Sequence, residues 1–556
     1  MKYYSKKKVM MKIIMVPYPA LGHVTPMLKL ASAFLNLGLH PVLVIPEFIY
    51  IRIQTSLDPN TQITCIPIPD GLELDCPRDF FSIEYGMENH MPLHLESIIR
   101  NLSQDGGVIA CMVVDLLASW AIQVAHRFRI PVAGFWPAML ATYSLIAAIP
   151  DLLRTGYISD TGYPQHIEKS CILPNQPMLS TEDLPWLIGS PSARKSRFKF
   201  WTRTLERSTT LKWLLVNSFP EEQHYIDINI KQQYSCQLIE SSLVQQPLVY
   251  PIGPLSKHAI TKNPSFCEEE DTNCLEWLDD QNPNSVIYIS FGSWVSPIGE
   301  AKVRNLALSL EALNLKFIWV LGFGWREGLP TGFLERVSTI SKQGKVVSWA
   351  PQMEVLQHKA VGCYLTHCGW NSTMEAIESQ KRLLCYPVAG DQSVNCAHIV
   401  KVWKIGVQLN GFGEKDIEQG MKKVMEDSEM KNRLMRMHTR IMGDEAKSRI
   451  SWFRNLDYHK HVRKEIIKQL KHFKKLYEGY VPMKYKSYMN HVILQAAADR
   501  FGAKICLVTS FRDTCFIEIM PKDKNPTRGK AKPKKHTVKV DASLTNHGGG
   551  KAGLAA

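Results

Sequence analysis

The sequence predicts an α/β protein made of two doubly wound domains, each with a parallel sheet. Three observations predict it. Apolar runs of four to seven residues recur through the first 450 residues, each followed by a Gly/Pro/polar turn and a helical pattern, as βαβ units require. These runs fall into two sets separated by the three-proline segment QQPLVYPIGPL, Gln245–Leu255. The composition, 45% hydrophobic and 21% charged over 556 residues, is globular and long enough for two or more cores. It excludes a disordered or collagen-like chain.

In the first set the expected strands are Lys12–Val16, Pro41–Ile45, Val108–Val114, Val132–Phe135 and Trp213–Asn217. Gln245–Leu255 reads as an extended linker, because proline disfavours helix at itself and at the residue before it. In the second set they are Val286–Phe291, Phe317–Leu321, Val346–Trp349, Gly362–Thr366 and Leu383–Val388. The expected organisation is therefore a first domain over 1–244, the linker over 245–255, a second domain over 256–440 and a closing helix over 441–455. In two such facing domains, ligands are expected at the carboxyl ends of the strands. Beyond residue 455 the texture changes: Arg454–Tyr480 is Lys-rich and helical in pattern, Ala503–Ile519 reads as two strands, and 521–556 reads as a basic, disordered tail.

The formal charge of +14 suggests nucleic acid or an anionic membrane until it is located. Residues 451–556 hold 22 Lys and Arg against 8 Asp and Glu, so the whole excess lies there and the rest of the chain is formally neutral. Thirteen cysteines without a CxxC pair fit reduced thiols and favour the cytosol. No apolar run reaches the roughly 18–20 residues a membrane-spanning helix needs. Lys6–Lys8 before Ile13–Val16 imitate a signal peptide, but Pro17 and Pro19 cut the apolar stretch short, so a buried first strand is expected.

Residues Trp349 to Gln392 read WAPQMEVLQHKAVGCYLTHCGWNSTMEAIESQKRLLCYPVAGDQ. Gly362–Thr366 is a strand, His367-Cys368-Gly369 a turn, and a helix begins near Asn371 or Ser372, so free N–H groups and a positive dipole end would suit a diphosphate. Ser372 and Glu375 alone could equally form an S-x-x-E capping box. The stretch as a whole closely resembles the 44-residue donor-binding signature of plant secondary-product glycosyltransferases, family 1 enzymes that use UDP-sugars. The resemblance implies a GT-B fold, two Rossmann-like domains facing across a cleft, here followed by an irregular basic extension. It implies that Trp349 stacks on uracil, with Ala350 and Gln352 beside the base. Glu375 would accept from the ribose hydroxyls, and His367, Asn371 and Ser372, aided by Ser293 of YISFGS, would hold the phosphates. Asp391 and Gln392 would bind the sugar hydroxyls, an acceptor-only carboxylate beside a donor/acceptor amide. Gln392, with Trp370, leans toward UDP-glucose.

Near the start, VPYPALGHVTPMLKLA resembles the family's first strand-turn, in which the equivalent of His23 is the general base. Its partner would be Asp115, at the carboxyl end of CMVVD, where it could also serve as a helix N-cap. The implied reaction is a single inverting displacement needing no metal and no cofactor beyond the UDP-sugar, with a small lipophilic hydroxyl compound as acceptor. The chain is read as a cytoplasmic monomer. PDGLE at Pro69–Glu73, VNSFPEEQ at Val216–Gln223 and CLEWLDDQ are further landmarks; Pro137 after Phe135-Trp136, and Tyr386 where tryptophan is usual, depart from the pattern and bear on sugar contacts and acceptor preference.

From about Asn455 to Ile519 the sequence resembles the middle of plant ovarian-tumour-type cysteine proteases. The family's Asp-Gly-Asn-Cys nucleophile segment is missing, its His lies beyond the matched stretch, and Cys506 and Cys515 read as structural thiols. The 456–520 fragment therefore reads as half a domain, too small to bury a stable core. The alternative to a glycosyltransferase is an inactive fusion product whose basic end binds ubiquitin or nucleic acid.

Overall fold

The computed structural model describes residues 11–36, 38–54, 62–104, 108–165, 172–173, 176–219, 222, 247–255, 273–292, 298–442, 505–508 and 516–519. Contacts divide the chain into one unit over Met1–Ile450 and a second over Ser451–Ala556.

The first unit holds two parallel sheets. One contains β1 (Met11–Val16), β2 (His40–Pro46), β3 (Thr64–Ile68), β4 (Val108–Asp115), β5 (Val132–Trp136), β6 (Trp213–Val216) and β7 (Leu248–Pro251), in the order 3-2-1-4-5-6-7. The other contains β8 (Val286–Ser290), β9 (Lys316–Val320), β10 (Gly344–Val347), β11 (Val361–Thr366), β12 (Arg382–Cys385) and β13 (Gly406–Gln408), in the order 10-9-8-11-12-13. Both share the doubly wound order in which the chain reverses direction beside the first strand, and ligands gather at that reversal. In the first sheet it lies between β1 and β4, and in the second between β8 and β11. Every residue of β8 and of β11 is buried, as continuous Val/Ile/Leu-rich runs covered on both faces should be.

The ten expected strands all form, with ends moved by one to three residues. Three further strands form where the sequence pattern is weak. β3, TCIPI, is an edge strand with a half-exposed pattern and a proline, and β13 has three residues. β7 is the surprise: within the expected linker, LVYP pairs with β6 in the register Trp213↔Leu248 to Val216↔Pro251. The segment is extended, as its prolines dictate, but it closes the edge of the first sheet, where proline's missing N–H does no harm. Of the closing helix expected over 441–455, only Ile441 and Met442 are described, at the end of helix Ser428–Met442. In the second unit, Ile505–Val508 and Phe516–Ile519 form the two expected strands, paired antiparallel; the remainder of 456–556, Cys515 included, lies outside the described residues. Among the described residues no helix is long and apolar enough to cross a membrane.

A buried carboxylate ties the VNSFPEEQ loop to the fold. Glu222 accepts from the amides of Leu140 at 3.1 Å and Ala141 at 2.6 Å and from the Ser218 hydroxyl. It thus caps helix Leu140–Ala147, whose own N-cap, Met139, offers no side-chain acceptor. Burial pushes the Glu222 carboxyl up to about 7, against the downward pull of Ser218 and the two amides. With the folded pKa above the unfolded one, its contribution to stability is full below about 4.5 and fades as pH rises through about 7. Wild-type protein should lose roughly 3 kcal/mol across that window, and Glu222→Gln should flatten the slope. Denaturant midpoints measured against pH test this; an unchanged slope in the variant would place the titration on another group.

Candidate functional site

The catalytic pair expected from the sequence is assembled at the first reversal. His23 lies in the opening turn of helix Leu21–Asn36, after β1, and Asp115 ends β4. His23 Nδ1 donates to Asp115 Oδ2 at 2.8 Å, while Asp115 Oδ1 accepts from the Leu117 amide at 3.0 Å. Both readings of Asp115 hold together, with one oxygen capping the short helix Leu116–Ala118 and the other orienting the imidazole. The carboxylate side chain is fully buried and His23 is 23% exposed, so Nε2 is left as the basic nitrogen a ligand can reach.

The helix carrying His23 also contains Pro26. Proline has no N–H, so the Gly22 carbonyl lacks its helical partner. The carbonyl is taken instead by Asn371 Nδ2, 2.9 Å away, from the second sheet's side of the cleft. Lys29, one turn further on, faces the same narrow space as Glu375.

At the second reversal, His367 and Cys368 follow β11, and Phe291 and Gly292 follow β8. A Cβ on Gly292 would come within 2.7 Å of His367 Nε2, and one on Gly369 within 2.4 Å. The imidazole is therefore wedged between two glycines that no side chain can replace. Cys368 has φ +66°, a left-handed conformation costing about 1–2 kcal/mol outside glycine. It is held there by its amide's bond to Thr366 Oγ1 (3.1 Å) and its carbonyl's bond from Asn395 Nδ2 (2.9 Å). Burial pushes His367 down to about 4, so the ring is neutral at physiological pH; its Nδ1 is buried without a partner.

Helix Trp370–Glu378 has Gly369 as its N-cap and no side-chain cap bond, which removes the capping-box explanation of Ser372 and Glu375. Both instead join a buried polar network centred on Gln352. Its Oε1 accepts from the Tyr288 and Tyr364 hydroxyls at 3.1 and 3.2 Å, and its Nε2 donates to Ser372 Oγ at 3.2 Å and Glu375 Oε2 at 2.6 Å. The Gln352 side chain is thus engaged with protein. Burial raises the Glu375 carboxyl, with Lys29 and Gln352 acting against it. Trp349, half-buried, and Ala350, buried, follow β10 at its carboxyl end.

Asp391 and Gln392 open helix Gln392–Ala397. Gln392 Oε1 accepts from the amides of Val388 and Ala389 at 2.9 and 3.0 Å, which turns Nε2 away from them and makes the residue a donor toward any ligand. Asp391 accepts from Asn395 at 2.9 Å; burial raises its carboxyl, opposed by Asn395 and by His23. A cavity of about 260 Å³ lies between Asp183–Arg194 and the loop residues Val388, Ala389, Gly390 and Ser393 on either side of Asp391 and Gln392.

One expected residue stands elsewhere. Trp370 is turned from the sugar loop into the contact between the two sheets' domains: its ring stacks on Phe219 (6.3 Å, 17°) and Nε1 donates to the Asn217 carbonyl at 2.6 Å. Ser293 lies outside the described residues. Tyr386 packs on Phe412 at 4.3 Å under Lys302, and the Pro137 carbonyl accepts from Asn217 at 3.5 Å. Sequence reasoning missed Lys29, Tyr288, Tyr364, Asn395 and Glu222; for Lys29, Tyr288 and Tyr364 the break in an apolar run was the available signal, whereas Glu222 sits in the polar stretch PEEQ and offered none.

The family described as UDP-glucoronosyl and UDP-glucosyl transferase matches residues 200–447. The chain is 55% identical over 444 residues to UDP-glycosyltransferase 82A1 of Arabidopsis thaliana, covering 78% of this chain and 95% of the relative. It is 29% identical over 455 residues to 7-deoxyloganetin glucosyltransferase of Catharanthus roseus, covering 76% and 89%. Among solved structures, a Medicago truncatula enzyme complexed with UDP-glucose superposes with TM-score 0.67 at 24% identity, over 81% of this chain and 98% of that one. A Polygonum tinctorium UDP-glucosyltransferase does so with TM-score 0.64 at 24% identity, over 79% and 97%.

Proposed function

The chain belongs to the UDP-glycosyltransferase family, and from that premise we propose that it transfers glucose from UDP-glucose to a hydroxyl of a small lipophilic acceptor by one inverting displacement. The observation that carries the reading is the His23–Asp115 pair, at 2.8 Å at the first sheet's reversal, with Asn371 of the second sheet's side reaching the Gly22 carbonyl, one residue before His23, at 2.9 Å. His23 Nε2 takes the acceptor's hydroxyl proton as its oxygen bonds the anomeric carbon and the bond to the UDP oxygen breaks. Asp115 keeps Nδ1 protonated and steadies the imidazolium that forms.

UDP leaves with its charge met by the amino-terminal end of helix Trp370–Glu378 and by Asn371, Ser372 and the neutral imidazole of His367. Trp349, with Ala350 and Gln352, would receive the uracil and Glu375 the ribose, while Asp391 accepts from and Gln392 donates to the sugar hydroxyls. We assign the domains as 1–251, since β7 belongs to the first sheet, and 256–440, with 252–255 between them. Eight cysteines described in the first unit are free thiols, which supports the cytosol.

Purified full-length protein should release UDP from UDP-glucose in the presence of phenols or terpenoid alcohols. The product's anomeric proton, read by NMR, should be β. An α-linked product would rule out single displacement, and bound UDP-glucose without transfer to any hydroxyl would rule out the activity.

A further inference from the structure

Three cysteines that the proposed reaction does not use meet inside the second sheet's domain. Cys368 lies in the turn after β11, Cys385 ends β12 and Cys396 belongs to helix Gln392–Ala397. Their sulfurs all lie within 4.8 Å of one another, and each is a free thiol. Cys368 and Cys385 have no exposed surface and Cys396 keeps 2% of its own. The backbone that carries them is fixed. Thr366 of β11 is in register with Cys385 of β12, and the left-handed Cys368 is held by Thr366 on one side and Asn395 on the other. Asn395, the neighbour of Cys396, also binds Asp391. Three separate segments thus deliver three sulfurs to one point.

A buried thiol packs as a small hydrophobe, but packing alone gives no reason for three to converge. Three sulfurs each about 2.3 Å from one ion stand about 4 Å apart, inside the observed limit. Thiolates are soft ligands that select Cu(I), zinc or iron–sulfur clusters. Structural zinc takes four protein ligands, and the clusters are held by four cysteines. Among the described residues no fourth His, Cys, Asp or Glu joins these three, and their burial keeps off the water that fills zinc's fourth position elsewhere. Cu(I), with a filled d shell, is satisfied by three sulfurs. We propose that Cys368, Cys385 and Cys396 form a trigonal binding site for Cu(I). Each copper–sulfur bond replaces an S–H bond, and the proton leaves to solvent. Entry is from the side of Cys396: Ser393, one turn earlier on the same helix face, lines the cavity of about 260 Å³. The bound ion ties the turn after β11 to the helix that opens with Gln392. The site stands independently of the glucosyl transfer proposed above.

The test uses reduced full-length protein kept free of oxygen, with Cu(I) supplied as its bicinchoninate complex. The protein should strip Cu(I) from the complex, and X-ray absorption at the copper edge should show a shell of three sulfurs. Cys385→Ala and Cys396→Ala should each weaken Cu(I) binding by more than about 100-fold, beyond what the loss of an outer-shell partner costs. Cys363→Ala, which removes a buried thiol of β11 outside the cluster, should bind as the wild type does. If neither cluster variant folds, alkylation of the wild type by iodoacetamide in mild urea, mapped by mass spectrometry, decides the matter: Cu(I) should slow labelling of Cys368, Cys385 and Cys396 more than that of Cys363. Failure to take Cu(I) from bicinchoninate, a shell of fewer than three sulfurs, unchanged affinity in the folded cluster variants, or protection of the three no greater than that of Cys363 overturns the proposal. None of these measurements involves donor or acceptor, so a failure of glucosyl transfer and a failure of this site are read separately.

Discussion

His23→Ala should lower kcat by about 10²- to 10⁴-fold while the affinity for UDP stays that of the wild type. The imidazole stands at the reversal of the first sheet, whereas the groups assigned to the nucleotide stand on the second, so base removal and donor binding separate physically. Asp115→Asn sharpens the test. The asparagine oxygen can still cap Leu117, so the local fold survives, but its amide would donate to His23 Nδ1 and force the imidazole proton onto Nε2, the atom that must accept. The variant should therefore fold, bind UDP and turn over almost as poorly as His23→Ala. Steady-state UDP release gives kcat and titration calorimetry gives UDP affinity; wild-type kcat in either variant would remove the pair from the mechanism.

Trp370→Ala should destabilise the protein by about 3–5 kcal/mol, the usual cost of deleting a buried tryptophan. The ring is packed between Phe219 and Trp403, and its N–H is satisfied by a backbone carbonyl of the loop after β6. Trp370→Phe keeps the stack and loses that single bond, which should cost about 1 kcal/mol and leave the KM for UDP-glucose close to wild type. Urea unfolding and donor kinetics on both variants separate the two roles open to this residue. A large rise in KM with unchanged stability would return Trp370 to the sugar.

The ten main strands were legible because continuous apolar runs and turns are local features, and the dyad was legible through the resemblance of its two segments to a family, with both residues at carboxyl ends of strands. The edge strands were not. β7 reads as a linker because its four residues carry no periodicity and end on Pro251; only pairing with β6 makes it a strand. Side-chain direction was equally unreadable. The spacing of Ser372 and Glu375 fits a capping box, yet Gly369 caps the helix and Gln352 claims both side chains. Trp370 sits inside a donor signature while its indole faces the other domain, because neighbours on a helix point to different sides of it. The lone polar residues of buried segments, Tyr288, Tyr364 and Glu222, acquire meaning only when partners 12 to 82 positions away arrive.

The carbonyl of Gly22, orphaned by Pro26 and held by Asn371, splices the two domains at the cleft through one side-chain amide. That amide carries two N–H groups, so one can stay on Gly22 while the other turns to a phosphate. In the proposed reaction one side chain would therefore touch both the leaving diphosphate and the helix that carries His23.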